Sequence, residues 1–174
     1  YYCSILFEKE QDLEQSIRLS NSIGLDFSTS NLYIDSNNNQ APNYKPQKQL
    51  NNKKLTKLQR RLSRKQKGSN NHEKARVKLA QFEKHISDSR KDYIEKETLR
   101  LVKTYDVIGI EDLNLQGMMK FSYNAKNYVD TSWYTLTQKL IWKSQFNNCI
   151  IVKSDRFYPS SKTCNHCGYI NQNL

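Results

Sequence analysis

This sequence has no long apolar run, and it contains few cysteines, glycines and prolines. No stretch is apolar enough to cross a bilayer or to form the core of a secretory signal sequence. The four cysteines include only one close pair, which argues against a disulfide framework and favours a reducing compartment. Glycine and proline number 5 and 3 in 174 residues, which is typical of a folded, helix-rich protein.

Acidic side chains are also scarce over part of the chain. Asp and Glu total 17 against 28 Lys and Arg, so the formal net charge is +11. No acid occurs between Asp35 and Glu73. An excess of positive charge without a lipid-binding signal favours nucleic acid as the partner over acidic proteins or membranes. We therefore expect a cytoplasmic, nucleoid-associated protein.

Two short apolar runs each carry an acid. The run Tyr105–Leu113 predicts a strand that is buried on both faces and ends in Glu111. The run Ser22–Phe27 predicts a strand that contains Asp26. Ligands of open α/β sheets bind outside the carboxyl ends of the strands, and paired carboxylates there bind hard divalent cations. The alternative is that the two acids only mark a strand end and a turn.

The middle of the chain predicts two antiparallel helices. The first is expected over 47–67, where leucines recur at helical spacing, and Gly68 is expected to end it. The second is expected over about 72–103. Its apolar side chains are Leu79, Phe82, Ile86, Tyr93 and Leu101.

The first of these helices is strongly basic. Its candidate nucleic-acid-binding residues are Lys53, Lys54, Lys57, Arg60, Arg61, Arg64, Lys65 and Lys67. A charge run is often only a solvated face. An acid-free run of this length repels itself unless an anion lies beside it, which favours contact with nucleic acid.

The remaining elements predict an α/β fold. A β-hairpin is expected over 22–35, with a weak third strand within 36–44. Cys149–Val152 predicts a buried strand after a helix, and a strand–helix–strand unit pairs in parallel. This order is that of a ribonuclease H-like mixed sheet with an inserted basic helical hairpin, in which the first strand lies beside the fourth. Asp26 and Glu111 are then neighbours. The helix that precedes Cys149–Val152 is expected to be capped by Asp130, Thr131 or Ser132. It is expected to carry Trp133, Leu136, Leu140 and Phe146 on one face.

The segment Phe157–Gly168 ends in a C-x-x-C turn. Two thiolates on one tight turn, Cys164 and Cys167, followed by a glycine, are typical of a zinc knuckle. The redox alternative needs a helix after the second cysteine, and the seven residues that follow cannot form one. We therefore favour zinc, with His166 pointing away and the other ligands either missing or supplied elsewhere.

Four motifs occur in a specific order and spacing. They are Gly24–Asp26, Lys57–Lys65, Ile110–Asn114 with Gly117–Met118, and Arg156–Cys164 with Cys167–Gly168. From Ile23 onward, the chain resembles the TnpB (OrfB) proteins of bacterial insertion sequences. Those proteins are similar to the type V CRISPR effectors and share their RuvC nuclease domain.

The resemblance implies an RNA-guided DNA endonuclease. Its RuvC-type site would hold Mg²⁺ or Mn²⁺ on three acids, with a zinc ribbon inserted before the third. Asp26 matches the first acid and Glu111 the second, which implies catalytic and metal-binding roles for both. Cys164 and Cys167 match the first half of the zinc ribbon. The partners implied are DNA and a guide RNA.

The resemblance also implies a domain order. Residues 1–10 would be the last strand of a preceding barrel domain, 11–21 a linker, 22–156 the RuvC-like domain and 157–174 the first half of the ribbon. The third acid and the second C-x-x-C of the family are unmatched, so we expect a fragment or a decayed copy. The alternatives to a nuclease are an inactive nucleic-acid-binding remnant, a regulator of the element, or a basic structural protein.

Overall fold

A computed structural model describes residues 3, 5–6, 20–42, 44–114, 117, 132–155, 162–164 and 166–172, with the backbone alone for 45–47. The strands, in chain order, are β1 (Ser22–Ser28), β2 (Leu32–Asp35), β3 (Val107–Glu111) and β4 (Ile150–Ser154). The helices are α1 (Tyr44–Ser63), α2 (Asn70–Thr104) and α3 (Trp133–Ser144). Among the described residues, no helix is long and apolar enough to cross a membrane.

The four strands form one mixed sheet in the order β2-β1-β3-β4. β1 pairs with β2 in the antiparallel sense, as the predicted hairpin requires. It pairs with β3 in parallel, and β3 pairs with β4 in parallel. The parallel pairing across α3 and the contact between the two acid-bearing strands are therefore confirmed. The weak strand expected within 36–44 is reduced to a single bridge between Ile34 and Gln40.

The hydrophobic core lies on one face of the sheet. Ile108 and Ile110 are buried and belong to the same cluster as Leu101 of α2 and Leu136 of α3. Burying one such aliphatic side chain contributes about 1.5–3 kcal/mol. Successive side chains of a strand point to opposite faces, so a helix layer on one face buries only every second residue.

This arrangement corrects two predictions of full burial. In β3, the residues that alternate with the buried isoleucines are only half-buried. In β4, Ile150 and Val152 are 43% and 51% exposed. β4 lies at the edge of the sheet, and the strand pairs with β3 alone among the described elements. Continuous apolar runs predicted burial on both faces, whereas the described helices pack against one.

The helices α1 and α2 pack against each other, but α1 ends earlier than predicted. The helix ends at Ser63, whose hydroxyl donates to the carbonyl of Arg60 at 3.0 Å. Gly68 therefore does not cap α1; it has φ 82° in the following turn. Ser69 caps α2 by accepting a hydrogen bond from the N–H of His72 at 3.1 Å. The helix prediction over 47–67 was therefore wrong at its end, because α1 stops four residues earlier, at Ser63.

The apolar face of α2 is confirmed, although polar residues share it. Phe82 and Leu101 are buried, and the other predicted members are half-buried. Glu97 and Thr98 are buried too, which the apolar pattern did not predict. Glu97 accepts hydrogen bonds from the hydroxyl of Tyr33 and the guanidinium of Arg100. These bonds tie α2 to β2 and satisfy the buried carboxylate.

The predicted face of α3 is confirmed for Trp133, Leu136 and Leu140, all of which are buried. Phe146 lies beyond the end of α3 and is 47% exposed, so its placement on that face was wrong. Of the three capping candidates, Ser132 occupies the cap with φ 55° and makes no side-chain capping bond. The other two lie outside the described residues.

Several predictions fall on parts of the chain that the structure does not describe. The opening strand over 1–10 is represented only by Cys3, Ile5 and Leu6, which are exposed. The proposed linker lies outside the described residues, except for its last two positions. Most of the connection between β3 and α3 lies outside them as well.

Candidate nuclease site and nucleic-acid interface

The register of β1 and β3 brings the two predicted acids together. Leu25 of β1 is level with Ile110 of β3, so the next residues, Asp26 and Glu111, are also level. Neighbouring strands lie about 4.7–4.9 Å apart. Alternation places both acids on the face opposite the buried Leu25 and Ile110. The sheet thus presents two adjacent carboxylates towards the carboxyl ends of parallel strands.

An open cavity of about 480 Å³ lies over the face of the sheet that carries Asp26 and Glu111. Gly24 and Gly109 stand side by side two residues before the acids, and a Cβ built on Gly109 would lie 3.8 Å from the Cα of Gly24. Gly24 and Gly109 therefore place no side chain next to the two carboxylates. The lining residues are Gly24, Leu25, Asp26, Ile34, Asp35, Ser36, Asn38, Gly109, Ile110, Glu111, Val152 and Ser154.

Sequence reasoning missed Gly109 as part of this cavity. The signal was present, since both strands read glycine, apolar residue, acid. With a side-chain period of two, that pattern puts the glycine and the acid of each strand on one face.

The acids around the cavity differ in their surroundings. Asp26 is exposed and Glu111 is half-buried. Asp35 is engaged by its own loop, because its carboxylate accepts the backbone N–H groups of Asn37 and Asn39 at 3.0 and 2.8 Å. Across the part of the chain that the structure describes, no group of three or more metal-ligating side chains comes together.

All eight basic candidates are exposed. Five lie on α1, and Arg64, Lys65 and Lys67 lie in the turn that follows it. Lys54 packs across the helix pair, with its ammonium nitrogen 4.5 Å from the centre of the Phe82 ring. Such a cation–π contact stabilises an exposed site by about 0.5–1 kcal/mol. Lys54 therefore contributes to the packing of α1 on α2 as well as to the surface charge.

The cysteine pair lies on a tight hairpin. The N–H of Gly168 donates to the carbonyl of Cys164 at 2.9 Å, and the N–H of Cys164 donates to the carbonyl of Tyr169 at 2.8 Å. Gly168 adopts φ 71°, a left-handed conformation that glycine tolerates. Cys164, His166 and Cys167 are all exposed.

The same turn acts on the chemistry of the first cysteine. Backbone N–H groups of Cys167 and His166 hold the pKa of the Cys164 thiol below its ordinary 9.0. A lower pKa favours the thiolate, which is the form that binds zinc.

Comparison with known proteins covers nearly the whole chain. Residues 4–122 match the OrfB_IS605 family model, described as a probable transposase. Residues 133–174 match a model described as the Cas12f1-like TNB domain.

Three bacterial relatives match over shorter shares of their own length. A protein of Streptomyces pristinaespiralis named "Putative RNA-guided DNA endonuclease" is 34% identical over 88% of this chain and 38% of its own length. The Escherichia coli (strain K12) protein "Putative RNA-guided DNA endonuclease InsQ" is 31% identical over 70% of this chain and 34% of its own. A Mycobacterium tuberculosis (strain CDC 1551 / Oshkosh) protein, "Putative RNA-guided DNA endonuclease MT2953", is 28% identical over 67% and 26%.

The chain thus spans well under half the length of the curated relatives it matches. Since one family model covers more than half of its residues, the chain belongs to the OrfB (TnpB) transposase family.

Proposed function

We propose that this chain carries part of the nuclease site and part of the nucleic-acid-binding surface of a metal-dependent, RNA-guided DNA endonuclease encoded by an insertion sequence. The observation that carries the proposal is the register of β1 and β3, which sets Asp26 beside Glu111 over an open cavity. The names of the relatives support DNA and a guide RNA as partners.

The two carboxylates fit a hard divalent cation. Oxygen ligands suit Mg²⁺ and Mn²⁺, and the glycines beside them leave room for a hydrated ion. Asp26 and Glu111 would hold the metal, which when bound supplies an activated water and stabilises the leaving oxygen of a phosphodiester. In this proposal both residues are catalytic, because they contact the reacting centre through the metal.

The strand order supports a finer assignment of the fold. An antiparallel hairpin joined in parallel to two further strands is the pattern of a ribonuclease H-like, RuvC-type domain. We assign residues 22–156 to that domain, with α1 and α2 as the inserted hairpin. Residues 157–174 are assigned to the first half of a zinc ribbon, 1–10 to the last strand of a preceding barrel domain and 11–21 to a linker.

The cysteine hairpin fits a zinc knuckle. Its two exposed thiols lie on one turn, and its backbone N–H groups favour the thiolate form of Cys164. Cys164 and Cys167 would supply two of the four ligands that structural zinc requires.

The proposal is tested by grafting this chain in place of the matching segment of the Streptomyces relative. We expect the graft to cleave guide-matched DNA in Mg²⁺, and the same graft with Asp26→Ala to lose that cleavage. The 174-residue chain alone should not cleave at a useful rate, because its described residues bring together two carboxylates where the resemblance implies three acids. Equal cleavage by the graft and its Asp26→Ala variant would contradict the proposal.

A second candidate is nucleic-acid binding without cleavage, either as a remnant or as a regulator of the element. It is favoured by the described residues, which bring together two carboxylates and no group of three or more ligands. A graft that binds guide and target DNA but never cleaves would support this candidate.

A further inference from the structure

A basic cleft of about 180 Å³ lies between the end of α1 and the beginning of α2. It is distinct from the cavity beside Asp26. Its lining residues are Leu58, Arg61, Lys65, Asn71, Lys74, Ala75 and Lys78. The volume is well above the roughly 10–15 Å³ that a cavity needs, in the same measure, to hold one water.

The helical repeat explains how these residues face one another. Residues three and four positions apart share one face of a helix. Leu58 and Arg61 of α1 follow that spacing, as do Asn71, Lys74 and Lys78 of α2, whereas Lys65 lies in the turn after α1. Arg61 and Lys65 come from one side, while Lys74 and Lys78 come from the other. Ala75 keeps the cleft open, because its side chain is a single methyl group at the centre of the α2 wall.

The charge of the cleft is unbalanced. Elsewhere on α2, cations pair with acids on the same helix, as Lys84 does with Asp88 at 3.2 Å and Lys96 with Asp92 at 2.7 Å. None of the four cationic side chains of the cleft makes a hydrogen bond or ion pair with the residues that the structure describes, and no acid lines the cleft.

The acid nearest to the cleft in the α2 sequence is already engaged. Glu73 receives the guanidinium of Arg76, with Nε 2.8 Å from Oε2. The four cations of the cleft therefore repel one another unless an external anion binds between them.

We propose that this cleft binds one phosphate of a nucleic-acid backbone, held by Arg61 and Lys65 from one side and by Lys74 and Lys78 from the other. The inference rests on the proposed function in taking nucleic acid as the partner, but it does not depend on cleavage. It adds Lys74, Lys78 and the shape set by Ala75 to the surface that the sequence predicted on the first helix alone. Phosphate contacts of this kind position a protein on its nucleic acid without reading sequence.

The first experiment fills the cleft without changing its charge. Ala75→Leu is compared with Ala80→Leu, which lies on the same helix, is exposed and does not line the cleft. Both residue types favour helix. Binding of the 174-residue chain to a labelled duplex is followed by fluorescence anisotropy in EDTA, so that no metal-dependent step takes part. We expect Ala75→Leu to weaken binding about tenfold, equivalent to about 1.4 kcal/mol, and Ala80→Leu to leave it unchanged.

The second experiment removes charge inside and outside the cleft. Lys74→Gln with Lys78→Gln is compared with Lys91→Gln with Lys103→Gln, two exposed lysines of α2 that do not line it. Losing one phosphate contact should lower the slope of log affinity against log salt by about 1. The control pair should lower it less.

The proposal is overturned if Ala75→Leu binds like Ala80→Leu, or if the two lysine pairs behave alike, because the surface would then act only through diffuse charge. Titration with inorganic phosphate separates a polymer site from a site for the free ion. Saturable binding of the free ion, together with unchanged duplex binding by Ala75→Leu, would also overturn it. Because no arm measures cleavage, these binding results are independent of the graft experiment, which alone tests the nuclease proposal.

Discussion

Lys143 is a buried cation that joins α3 to α2. Its side chain is 9% exposed, and its ammonium nitrogen lies 2.6 Å from the carbonyl oxygen of Glu95, 2.9 Å from the hydroxyl of Thr98 and 2.7 Å from the Glu95 carboxylate. Burying an ammonium costs free energy unless such partners replace water. Lys139 also pairs with Glu95, at 2.5 Å, but its side chain is 41% exposed.

This difference predicts unequal effects of two matched substitutions. Lys143→Met should lower the free energy of unfolding by about 1–3 kcal/mol, because it removes the charged hydrogen bonds that the buried ammonium donates to the Thr98 hydroxyl and the Glu95 carbonyl. Lys139→Met should cost less than about 1 kcal/mol, as is usual for exposed pairs. Urea denaturation of both variants makes the comparison. Similar losses would show that Lys143 acts as a surface cation.

Cys149 predicts a dependence of stability on alkaline pH. Burial, and secondarily the negative charge of Asp106, raises the pKa of this thiol from 9.0 to about 11. Because the folded state holds the proton more tightly than the unfolded state, the contribution to stability is complete below pH 9. It is lost as the pH rises from 9 to 11.

A shift of this size corresponds to roughly 2–3 kcal/mol, at about 1.36 kcal/mol per pKa unit. Thermal or urea unfolding of the wild type and Cys149→Val should therefore diverge across that range, with the wild type losing more stability. Parallel curves would contradict the prediction. The difference between the two free energies of unfolding at each pH isolates Cys149, because tyrosines and lysines that titrate in this range contribute equally to both proteins.

At the scale of elements, the sequence predicted pairing better than burial. Periodicity and turn residues were enough for the β1–β2 hairpin and for parallel pairing across α3, since both follow from short-range patterns and the handedness of crossovers. An apolar run does not reveal whether a second layer covers the sheet, so the half-buried face of β3 was missed. The end of α1 was missed because Gly68 was taken as its stop signal, whereas the helix ends at Ser63 and Gly68 lies in the following turn.

The candidate functional residues also divide into those that the sequence predicted and those that only the structure shows. Asp26 and Glu111 could be placed as neighbours because each lies in a strand with a recognisable pattern. Lys74 and Lys78 were missed because acids are interspersed in α2, so its composition carried no signal. Only the packing of α1 against α2 shows that these two lysines face Arg61.

The exposed basic residues of α1 and of the turn after it predict a salt effect on DNA binding. Replacing Lys57, Arg60, Arg61 and Arg64 with Gln should flatten the slope of log affinity for DNA against log salt. Each phosphate contact that is lost removes about 0.9 from the slope, because fewer counterions are released. The control replaces Lys84, Lys91, Lys96 and Lys103 of α2 in the same way. An unchanged slope would mean that the basic residues of α1 are only a solvated face.

At the scale of the whole molecule, two surfaces lie on different parts of the fold. The acids lie on the sheet, towards the carboxyl ends of β1 and β3, whereas the basic cleft lies at the turn between α1 and α2. A nucleic acid held at the helices could therefore be bound in a mutant that has lost the metal site. This separation allows the metal site to be tested by itself.

The most direct measurement is Mn²⁺ binding to the 174-residue chain, followed by electron paramagnetic resonance of the free ion. If Asp26 and Glu111 share one divalent ion, Asp26→Asn and Glu111→Gln should each weaken binding at least about tenfold, which is about 1.4 kcal/mol. Asp35→Asn is the matched control, because Asp35 lines the same cavity but its carboxylate is held by the N–H groups of Asn37 and Asn39. The account predicts that this variant binds Mn²⁺ like the wild type. Wild-type binding by Asp26→Asn or Glu111→Gln, or an equal loss in Asp35→Asn, would contradict a shared metal site.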